Sequence, residues 1–231
     1  MLNGKTFLAI IPARGGSKRL PRKNVLDLAG KPLIAWTIEA GLASQYIDNV
    51  IVSSEDEEIL EIANQWGVSV IKRPSEFASD TATTFDAVKH AIENCEAYDY
   101  IVLLQTTSPL RNSQHIDEAI ELLEEKCADA IISVCKMEHS PLWSNTLPTN
   151  GSMSGFLRKD ILNKRSQDLD VYFRLNGAIY ICDLKELKKE RSFFINEKIY
   201  SYIMGAKNSI DIDEDVDFKL AQLILKRKTY E

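Results

Sequence analysis

Residues 10–24 hold the densest group of anion-binding side chains in this chain. Gly15 and Gly16 lie there among three arginines, two lysines, a serine and an asparagine. Glycine allows a loop to turn its backbone N–H groups toward an anion, and the cations can neutralise a polyphosphate. Because the whole chain has a net charge of −6, this cationic cluster is a local feature. The pattern predicts a nucleoside triphosphate site in the loop that follows the first predicted strand.

The loop differs from two common phosphate-binding motifs. The run Gly15-Gly16-Ser17-Lys18 lacks the glycine spacing of a Walker A loop, and the chain contains no Gly-x-Gly-x-x-Gly. The alternative interpretation is a solvated, positively charged turn. The density of cations beside two glycines favours the anion site over that alternative.

An acidic pair, Asp211 and Asp213, alternates with two isoleucines in the run 209–213 near the other end of the chain. The period of a strand places both carboxylates on one face, where they can share a hard cation such as Mg²⁺. The alternative is that Asp213 caps a helix beginning near Glu214 and that Asp211 is simply exposed. A triphosphate site requires a divalent ion, which favours the metal interpretation.

Polar residues also follow or enter other predicted strands. Gln105 begins a run of amide and hydroxyl groups that can bind a base or sugar, although an ordinary polar turn explains the run equally well. Arg73 follows a strand and is expected to face the crevice at the carboxyl ends of the strands, as the basic loop does. Thr84 is expected at a helix start, where it can contact an anion or simply belong to a cap. Asn176 and Tyr180 enter a buried strand, with core packing as the alternative.

Apolar runs of strand length alternate with segments of helical period along the chain. The predicted strands are 7–11, 50–53, 68–71, 100–104, 130–134 and 178–182. Helices are predicted to start at Pro32 and Glu57, to include the stripe that begins with Phe85, and to be capped by Ser113. The alternation predicts a three-layer α/β/α fold with a mostly parallel sheet, whose ligand lies beyond the carboxyl ends of the strands.

Residues 137–175 interrupt this alternation. The segment is irregular, contains the hairpin-turn signal Asn150-Gly151, and then becomes highly charged. A segment of this length without helical period predicts an insertion that serves as a lid, a binding loop or a dimerisation arm. We find no linker, so residues 1–231 are predicted to form a single domain that carries this insertion.

Composition narrows the classes of function. An acidic chain of 231 residues argues against a general binder of nucleic acid or anionic membranes. The sequence has no apolar run of membrane-spanning length, and its first residues do not read as a signal peptide. The four cysteines form no Cys-x-x-Cys, which favours reduced thiols and a cytoplasmic location over zinc or disulfides.

Five motifs occur in one order along the chain. They are Ile-Pro-Ala-Arg-Gly-Gly-Ser-Lys with Pro-Arg-Lys-Asn, Arg-Pro with Ala-Ser-Asp-Thr, Leu-Leu-Gln-x-Thr-Ser-Pro-Leu-Arg, Asn-Gly-Ala-Ile-Tyr-Ile, and Ser-Ile-Asp-Ile-Asp. In this combination the chain resembles the acylneuraminate cytidylyltransferase family, the CMP-N-acetylneuraminic acid (CMP-sialic acid) synthetases, over essentially its whole length.

The resemblance implies an activity and an architecture. It implies transfer of CMP from CTP to the anomeric hydroxyl of a nine-carbon 2-keto sugar acid, with release of pyrophosphate. It also implies dependence on Mg²⁺, a Rossmann-like fold, and a homodimer in which an extended segment reaches the neighbour's active site. The insertion at 137–175 fits that segment.

The resemblance further implies a role for each matching residue. The triphosphate would be held by Arg14, Gly15, Ser17 and Lys23, with Asn24 and Arg73 near the nucleotide and Thr84 near the cytosine or ribose. The sugar acid would be contacted by Gln105, Asn176 and Tyr180, joined by Arg165 and Phe193, although Phe193 also reads as a core residue. Asp211 and Asp213 would hold the metal. The residues expected to take part in catalysis are Arg14, Lys23 and Asp211, with Asp211 or a water as the base.

The chain departs from the family pattern at two positions, and one of the two departures affects the predicted substrate. Thr106 replaces a common proline, which is a local change. Trp143 stands where a lysine often follows in sialic acid enzymes, which points to a different nonulosonate such as legionaminic acid. An eight-carbon sugar acid and a non-catalytic nucleotide-binding regulator remain as further alternatives.

Overall fold

The apolar runs form a seven-stranded sheet in a computed structural model that describes residues 1–79 and 81–228. A separate two-stranded ribbon, β2 with β3, follows the basic loop. The strands are β1 (Phe7–Pro12), β2 (Asp27–Leu28), β3 (Lys31–Pro32), β4 (Asn49–Ser54), β5 (Ser69–Lys72), β6 (Tyr100–Leu103), β7 (Ala130–Lys136), β8 (Phe173–Asp183) and β9 (Ile199–Met204).

The large sheet is mostly parallel, as predicted. Its strand order is β5-β4-β1-β6-β8-β7-β9. Every neighbouring pair is parallel except the two that involve β8, which runs antiparallel to β6 and to β7. The direction of β8 and the existence of β9 were not predicted, because β9 carries exposed and polar residues instead of a continuous apolar run.

The described chain contains six helices, five of which pack on the large sheet while the sixth packs on the β2–β3 ribbon. They are α1 (Leu33–Leu42), α2 (Glu57–Gln65), α3 (Thr84–Glu93), α4 (Ser113–Glu125), α5 (Leu184–Glu190) and α6 (Asp215–Lys228). None of these helices is both long enough and apolar enough to cross a lipid bilayer.

Two predicted helix caps are wrong. The cap of α4 is Asn112, whose side chain accepts the N–H of His115 at 3.1 Å, and Ser113 is the first helical residue. At the start of α6, Asp217 accepts the N–H groups of Asp213 and Glu214 at 3.0 and 2.8 Å. Asp213 therefore does not take the capping role that was its alternative, and its carboxylate stays available for other contacts.

The core lies on both faces of the sheet, because β1 is buried on both sides. Phe7, Ala9 and Ile11 belong to one apolar cluster, which also contains residues of α1 and α4. Leu8 and Ile10 belong to a second cluster with residues of α3. This arrangement gives the predicted three layers and fixes the end of β1, from which the basic loop departs.

The irregular segment is shorter than predicted and spans residues 137–172. Residues 173–175 already pair with β7, with Leu175 opposite Val134. Their exposed side chains form no apolar run, so the pattern did not indicate a strand. A turn is present where the hairpin signal lies, with the N–H of Gly151 donating to the carbonyl of Pro148 at 2.8 Å, but no strand flanks it in the described chain.

Candidate active site

A cavity of about 400 Å³ opens at the carboxyl ends of β1 and β6, where the fold class predicts a ligand. Polar residues from four separate stretches of the chain meet there, within 12–24, 73–87, 105–107 and 211–213. Of the predicted site residues, those lining it are Arg14, Ser17, Lys23, Asn24, Arg73, Thr84, Gln105, Asp211 and Asp213. Asp80, which belongs to one of the sequence motifs, lies outside the described residues.

The basic loop and the acidic pair meet at the cavity wall. Nζ of Lys23 lies 3.7 Å from Oδ1 of Asp213, and a guanidinium nitrogen of Arg19 lies 3.0 Å from its Oδ2. The ammonium group of Lys23 also donates to the backbone carbonyl of Ile212. The cationic loop near one end of the chain and the acidic pair near the other therefore meet in the structure.

Burial shifts the pKa values of the central pair of groups in opposite directions. Burial lowers the pKa of Lys23, opposed by the negative charges of Asp213 and Asp211. Burial raises the pKa of Asp211, opposed by the side chain of Thr107 and reinforced by the charge of Asp213. Both shifts reflect the loss of water around the charged forms, so an anion would stabilise charged Lys23 and a cation would stabilise charged Asp211.

Two carboxylates of the cavity, Asp211 and Asp213, offer the oxygen ligands that a hard cation prefers. Oδ1 of Asp211 is buried and has no hydrogen-bond partner among the described residues. The described residues contain no group of three or more metal-binding side chains. Two carboxylates suit Mg²⁺ when the substrate's phosphates and water supply the other ligands, which is the usual arrangement at nucleotide sites. The residues present therefore fit Mg²⁺ bound together with a triphosphate.

Arg73 is held rigidly at the cavity. Its side chain is only 4% exposed, and one guanidinium nitrogen donates to the carbonyl of Ala13 at 3.3 Å and to Oε2 of Glu55 at 3.1 Å. Burial lowers its pKa, and the Glu55 carboxylate opposes this shift. An arginine fixed in this way can present its charge to a ligand without losing side-chain freedom on binding.

Not every cation of the basic loop faces the cavity. Arg22 has a left-handed backbone with a φ of 56° and forms ion pairs with Asp56 and Glu58 of the α2 region. These carboxylates raise the pKa of the guanidinium. Arg22 therefore anchors the loop to α2, while Arg14 and Lys23 line the cavity.

Gly177 was not predicted as a site residue, although it lies against two that were. It has a φ of +71°, and a Cβ built there would lie 2.7 Å from Oε1 of Gln105 and 3.7 Å from Oδ2 of Asp211. A lone glycine inside a strand pattern is the available sequence signal for such a close approach. The absence of a side chain at this position allows Gln105 to reach the cavity.

Three predicted site residues lie behind or beside the cavity lining. Tyr180 and Phe193 contact each other with ring centroids 5.9 Å apart, and burial together with the charge of Asp211 raises the pKa of Tyr180. Asn176 is fully buried and bonds to Ser133 and Ser209 at 2.6 and 3.0 Å. Asn176 thus stabilises β8, and a direct sugar contact from any of the three stays a prediction.

Two further predicted site residues, Arg165 and Gly15, bond to carboxylates of the chain and do not line the cavity. Arg165 lies in the irregular segment, is 74% exposed and pairs with Asp168. The N–H of Gly15 donates to Oε1 of Glu55 at 2.7 Å instead of lining the cavity. Their contacts with ligands stay predictions.

Sequence reasoning missed other residues of the cavity wall. Thr106 and Thr107 line it and were read only as part of a polar run, while Phe77, Ser79 and Ala82 belong to the loop before α3. The motif Arg-Pro with Ala-Ser-Asp-Thr covers part of this loop, but it assigned a role only to Arg73, since the uncharged side chains of Phe77, Ser79 and Ala82 indicate no ligand contact by themselves. The structure brings this loop to the same cavity as residues that follow β1 and β6.

Comparisons with known proteins place the chain among related sequences. The sequence profile described as Cytidylyltransferase matches residues 8–202. An N-acylneuraminate cytidylyltransferase of Streptococcus agalactiae serotype III is 39% identical over 91% of this chain, which covers 51% of that protein. A CMP-N,N'-diacetyllegionaminic acid synthase of Legionella pneumophila is 33% identical over 95% of this chain and 96% of that protein.

A solved structure supports the fold. The CMP:2-keto-3-deoxy-manno-octonic acid synthetase complexed with CTP aligns with a TM-score of 0.74, covering 96% of this chain and 99% of that one. The identity is 17%, so the likeness concerns the architecture. The chain spans about half the length of the streptococcal relative and nearly the whole length of the Legionella protein.

Proposed function

Because this chain belongs to the cytidylyltransferase family, we propose that it transfers CMP from CTP to the anomeric hydroxyl of a nonulosonic acid and releases pyrophosphate. N-Acetylneuraminic acid is the proposed acceptor, since a relative with that substrate class in its name is 39% identical. The observation that carries the proposal is the 3.7 Å approach of Lys23 to Asp213 in a polar cavity at the strand ends.

The cationic side of the cavity is the proposed triphosphate site. Arg14, Lys23 and Arg73 supply positive charge there, and Ser17 adds a hydroxyl donor. These fixed charges would stabilise the negative charge that develops on the leaving pyrophosphate. Asn24 and Thr84, at the same wall, are the proposed contacts for the remainder of the nucleotide.

The acidic side is the proposed Mg²⁺ site, with Asp211 and Asp213 as its protein ligands. When bound, Mg²⁺ would polarise the phosphate that is attacked and neutralise charge on the leaving group. Asp213 contacts Lys23 and Arg19 in the present structure, so it already lies among the groups that would surround the triphosphate. The unpartnered, buried Oδ1 of Asp211 supports this assignment.

The acceptor sugar is proposed to lie on the β8 side of the cavity. Gln105 reaches that side beside Gly177, and Tyr180 and Phe193 form an aromatic pair in the layer behind it. In-line attack requires the anomeric hydroxyl to face the α-phosphate, so the main work of these residues is orientation. Asp211, or a water bound to the metal, is the proposed acceptor of the hydroxyl proton.

We also propose that the chain forms a homodimer. Leu175, Val134 and Ile203 lie side by side on three neighbouring strands, β8, β7 and β9. Leu175 and Ile203 are 48% and 59% exposed, so this row forms an apolar face at the edge of the sheet. An apolar face of this kind is typical of an interface between subunits. The segment 137–172 lies next to it in the chain and is the proposed arm.

A cytoplasmic location is also proposed. All four cysteines are unpaired, two of them in the core. Unpaired thiols are typical of a reducing compartment.

A second acceptor is supported by one comparison. The Legionella relative named for diacetyllegionaminic acid matches this chain over 96% of its own length. Trp143, on a short helical turn of the irregular segment, replaces the cation expected in sialic acid enzymes. Legionaminic acid is therefore the alternative acceptor.

The test is pyrophosphate release with CTP, Mg²⁺ and a panel of sugar acids. The proposal predicts turnover that needs both CTP and Mg²⁺, with the highest kcat/KM for N-acetylneuraminic acid. A higher kcat/KM for legionaminic acid would establish the alternative acceptor. Tight binding of CTP in calorimetry without release of pyrophosphate from any sugar acid would overturn the proposed catalysis in favour of a nucleotide-binding regulator.

A further inference from the structure

Two side chains hold the opposite ends of one peptide group in the basic loop, the group between Arg14 and Gly15. The carbonyl oxygen of Arg14 accepts a hydrogen bond from Nδ2 of Asn24 at 2.9 Å. The N–H of Gly15 donates to Oε1 of Glu55 at 2.7 Å. The peptide plane is therefore fixed from both sides, by a residue later in the loop and by a residue just after β4.

Asn24 is itself fixed by a residue at the end of β6. Its Oδ1 lies 2.7 Å from Oγ1 of Thr106, and the two residues are 4% and 5% exposed. A backbone carbonyl can only accept, so Nδ2 must face Arg14 and Oδ1 must face Thr106, whose hydroxyl then donates. A continuous chain of hydrogen bonds thus leads from β6 to the peptide of Arg14.

Glu55 connects the same peptide to a second cation. While Oε1 binds Gly15, Oε2 accepts from the guanidinium of Arg73 at 3.1 Å. Arg14 and Arg73 both line the cavity. The carboxylate of Glu55 therefore sets the position of one cation directly and of the other through the backbone.

We propose that Glu55 and Thr106 are positioning residues that clamp the Arg14–Gly15 peptide and thereby fix the triphosphate-binding cations. This inference rests on the proposed function, because it assigns those cations to CTP. Glu55 does not line the cavity and acts through Gly15 and Arg73. Thr106 does line the cavity, so a direct contact of its hydroxyl with the ligand is the competing explanation.

Paired variants at each position test the clamp. Thr106→Val and Glu55→Met remove the hydrogen-bonding groups at nearly constant size, whereas Thr106→Ser and Glu55→Gln keep a group that can bind Asn24 or Gly15. Leaving a buried polar group unpaired should weaken CTP binding about tenfold in Thr106→Val and in Glu55→Met, with smaller losses in the conservative pair. Glu57→Met, at a side chain 66% exposed, is the control for the change of charge near β4.

Hydrogen–deuterium exchange of the loop gives a readout that does not depend on activity or on CTP. Amides of residues 13–17 should exchange faster in Thr106→Val and in Glu55→Met than in the wild type, and Thr106→Ser and Glu55→Gln should restore much of the protection. Unchanged exchange in either of the first two variants would overturn the clamp. If the variants differ from the wild type in this way but the wild type releases no pyrophosphate, the proposed function fails while the clamp stands.

A double-variant cycle separates the clamp from direct contact with the ligand. If both residues act on one peptide, Thr106→Val combined with Glu55→Met should weaken CTP binding by clearly less than the product of the two single effects. Independent, multiplicative effects would overturn the shared clamp and favour a direct contact from Thr106. Thermal unfolding of each variant shows whether it is folded. If one variant does not fold, the conservative variant at that position and the variants at the other position decide the outcome.

Discussion

The backbone of Gly15 lies directly against the carboxylate of Asp56. A Cβ built on Gly15 would stand 2.3 Å from Oδ2 of Asp56 and 3.0 Å from a guanidinium nitrogen of Arg22. The carboxylate has little freedom to move, because it is paired with Arg22 and its Oδ1 accepts the N–H of Ile59 at the start of α2. The glycine is thus required so that the Arg22–Asp56 pair can anchor the basic loop.

We expect Gly15→Ala to destabilise the protein by about 1–3 kcal/mol, the usual cost of overpacking. Gly16→Ala is the matched control, since no heavy atom in the described structure lies within 4 Å of a Cβ there. Urea unfolding of the two variants measures the difference in free energy of unfolding. Equal stability of both variants would contradict the proposed role of Gly15.

The lowered pKa of Lys23 predicts how the affinity for CTP depends on pH. Because burial lowers its pKa, Lys23 loses its charge at a lower pH than an ordinary lysine. Affinity for CTP should therefore fall on the alkaline side earlier than an ordinary lysine would allow. Lys23→Arg should move that fall to higher pH, and Lys23→Met should weaken binding about 10- to 100-fold at neutral pH. Calorimetry with CTP between pH 7 and 10 would measure this, and an alkaline limb unchanged in Lys23→Arg would refute it.

The fold was largely predictable because it depends on local apolar patterns, and the contacts of the site were less so. The runs around β1, β4 and β6 are buried on both faces, so their composition alone indicates strands. In contrast, β9 is an edge strand with Ile203 exposed, and it lacks the continuous buried run that marks the central strands. The sequence shows which residue types can bind a triphosphate, but the pairing of Arg22 with Asp56 depends on how β1 and β4 are placed side by side.

Replacing Asp211 with asparagine should raise the stability of the protein and lower its turnover. Burial raises its pKa in the folded protein, so stability is lost as pH rises from the ordinary pKa of aspartate through the folded value. Asp211→Asn has no charge to bury and should unfold at a higher temperature than the wild type at pH 7 without CTP or Mg²⁺, while the two should be similar at low pH. Turnover should fall by about 100-fold or more.

The control for Asp211→Asn is Asp215→Asn, at an exposed residue paired with Lys219 on α6. This variant should keep the wild-type turnover and the wild-type dependence of melting temperature on pH. Near-normal turnover of Asp211→Asn with Mg²⁺ would remove Asp211 from both of its proposed roles.

The proposed dimer can be tested at the apolar row. Ile203→Lys places a charge beside Val134 and Leu175, which should separate the subunits because burying an unpaired charge is costly. Leu223→Lys on α6 is the control, since that leucine is 52% exposed away from the row. Light scattering after size exclusion measures the mass. A dimer that persists in Ile203→Lys, or a wild-type protein that is a monomer, would contradict the proposal.

Gly177 gives a prediction for the acceptor site. Any side chain at Gly177 must displace Oε1 of Gln105, which lies 2.7 Å from the Cβ position, and it approaches Asp211 as well. Gly177→Ala should therefore lower kcat/KM for the sugar acid by about tenfold or more, since misplaced reacting groups carry a large cost. The affinity for CTP measured without the sugar should change far less, because the atoms nearest that Cβ position belong to Gln105, Asp211 and Ser108 and not to a triphosphate cation.

The control must separate this steric effect from backbone strain, because Gly177 has a φ of +71°. Gly67 has a φ of +77° with nothing in the described structure within 4 Å of a Cβ, so Gly67→Ala carries the same kind of strain, about 1–2 kcal/mol, without touching the site. Both variants should lose stability, and only Gly177→Ala should lose activity toward the sugar acid. A similar loss in both would show that strain alone is responsible, and a loss in neither would remove Gln105 from the acceptor site.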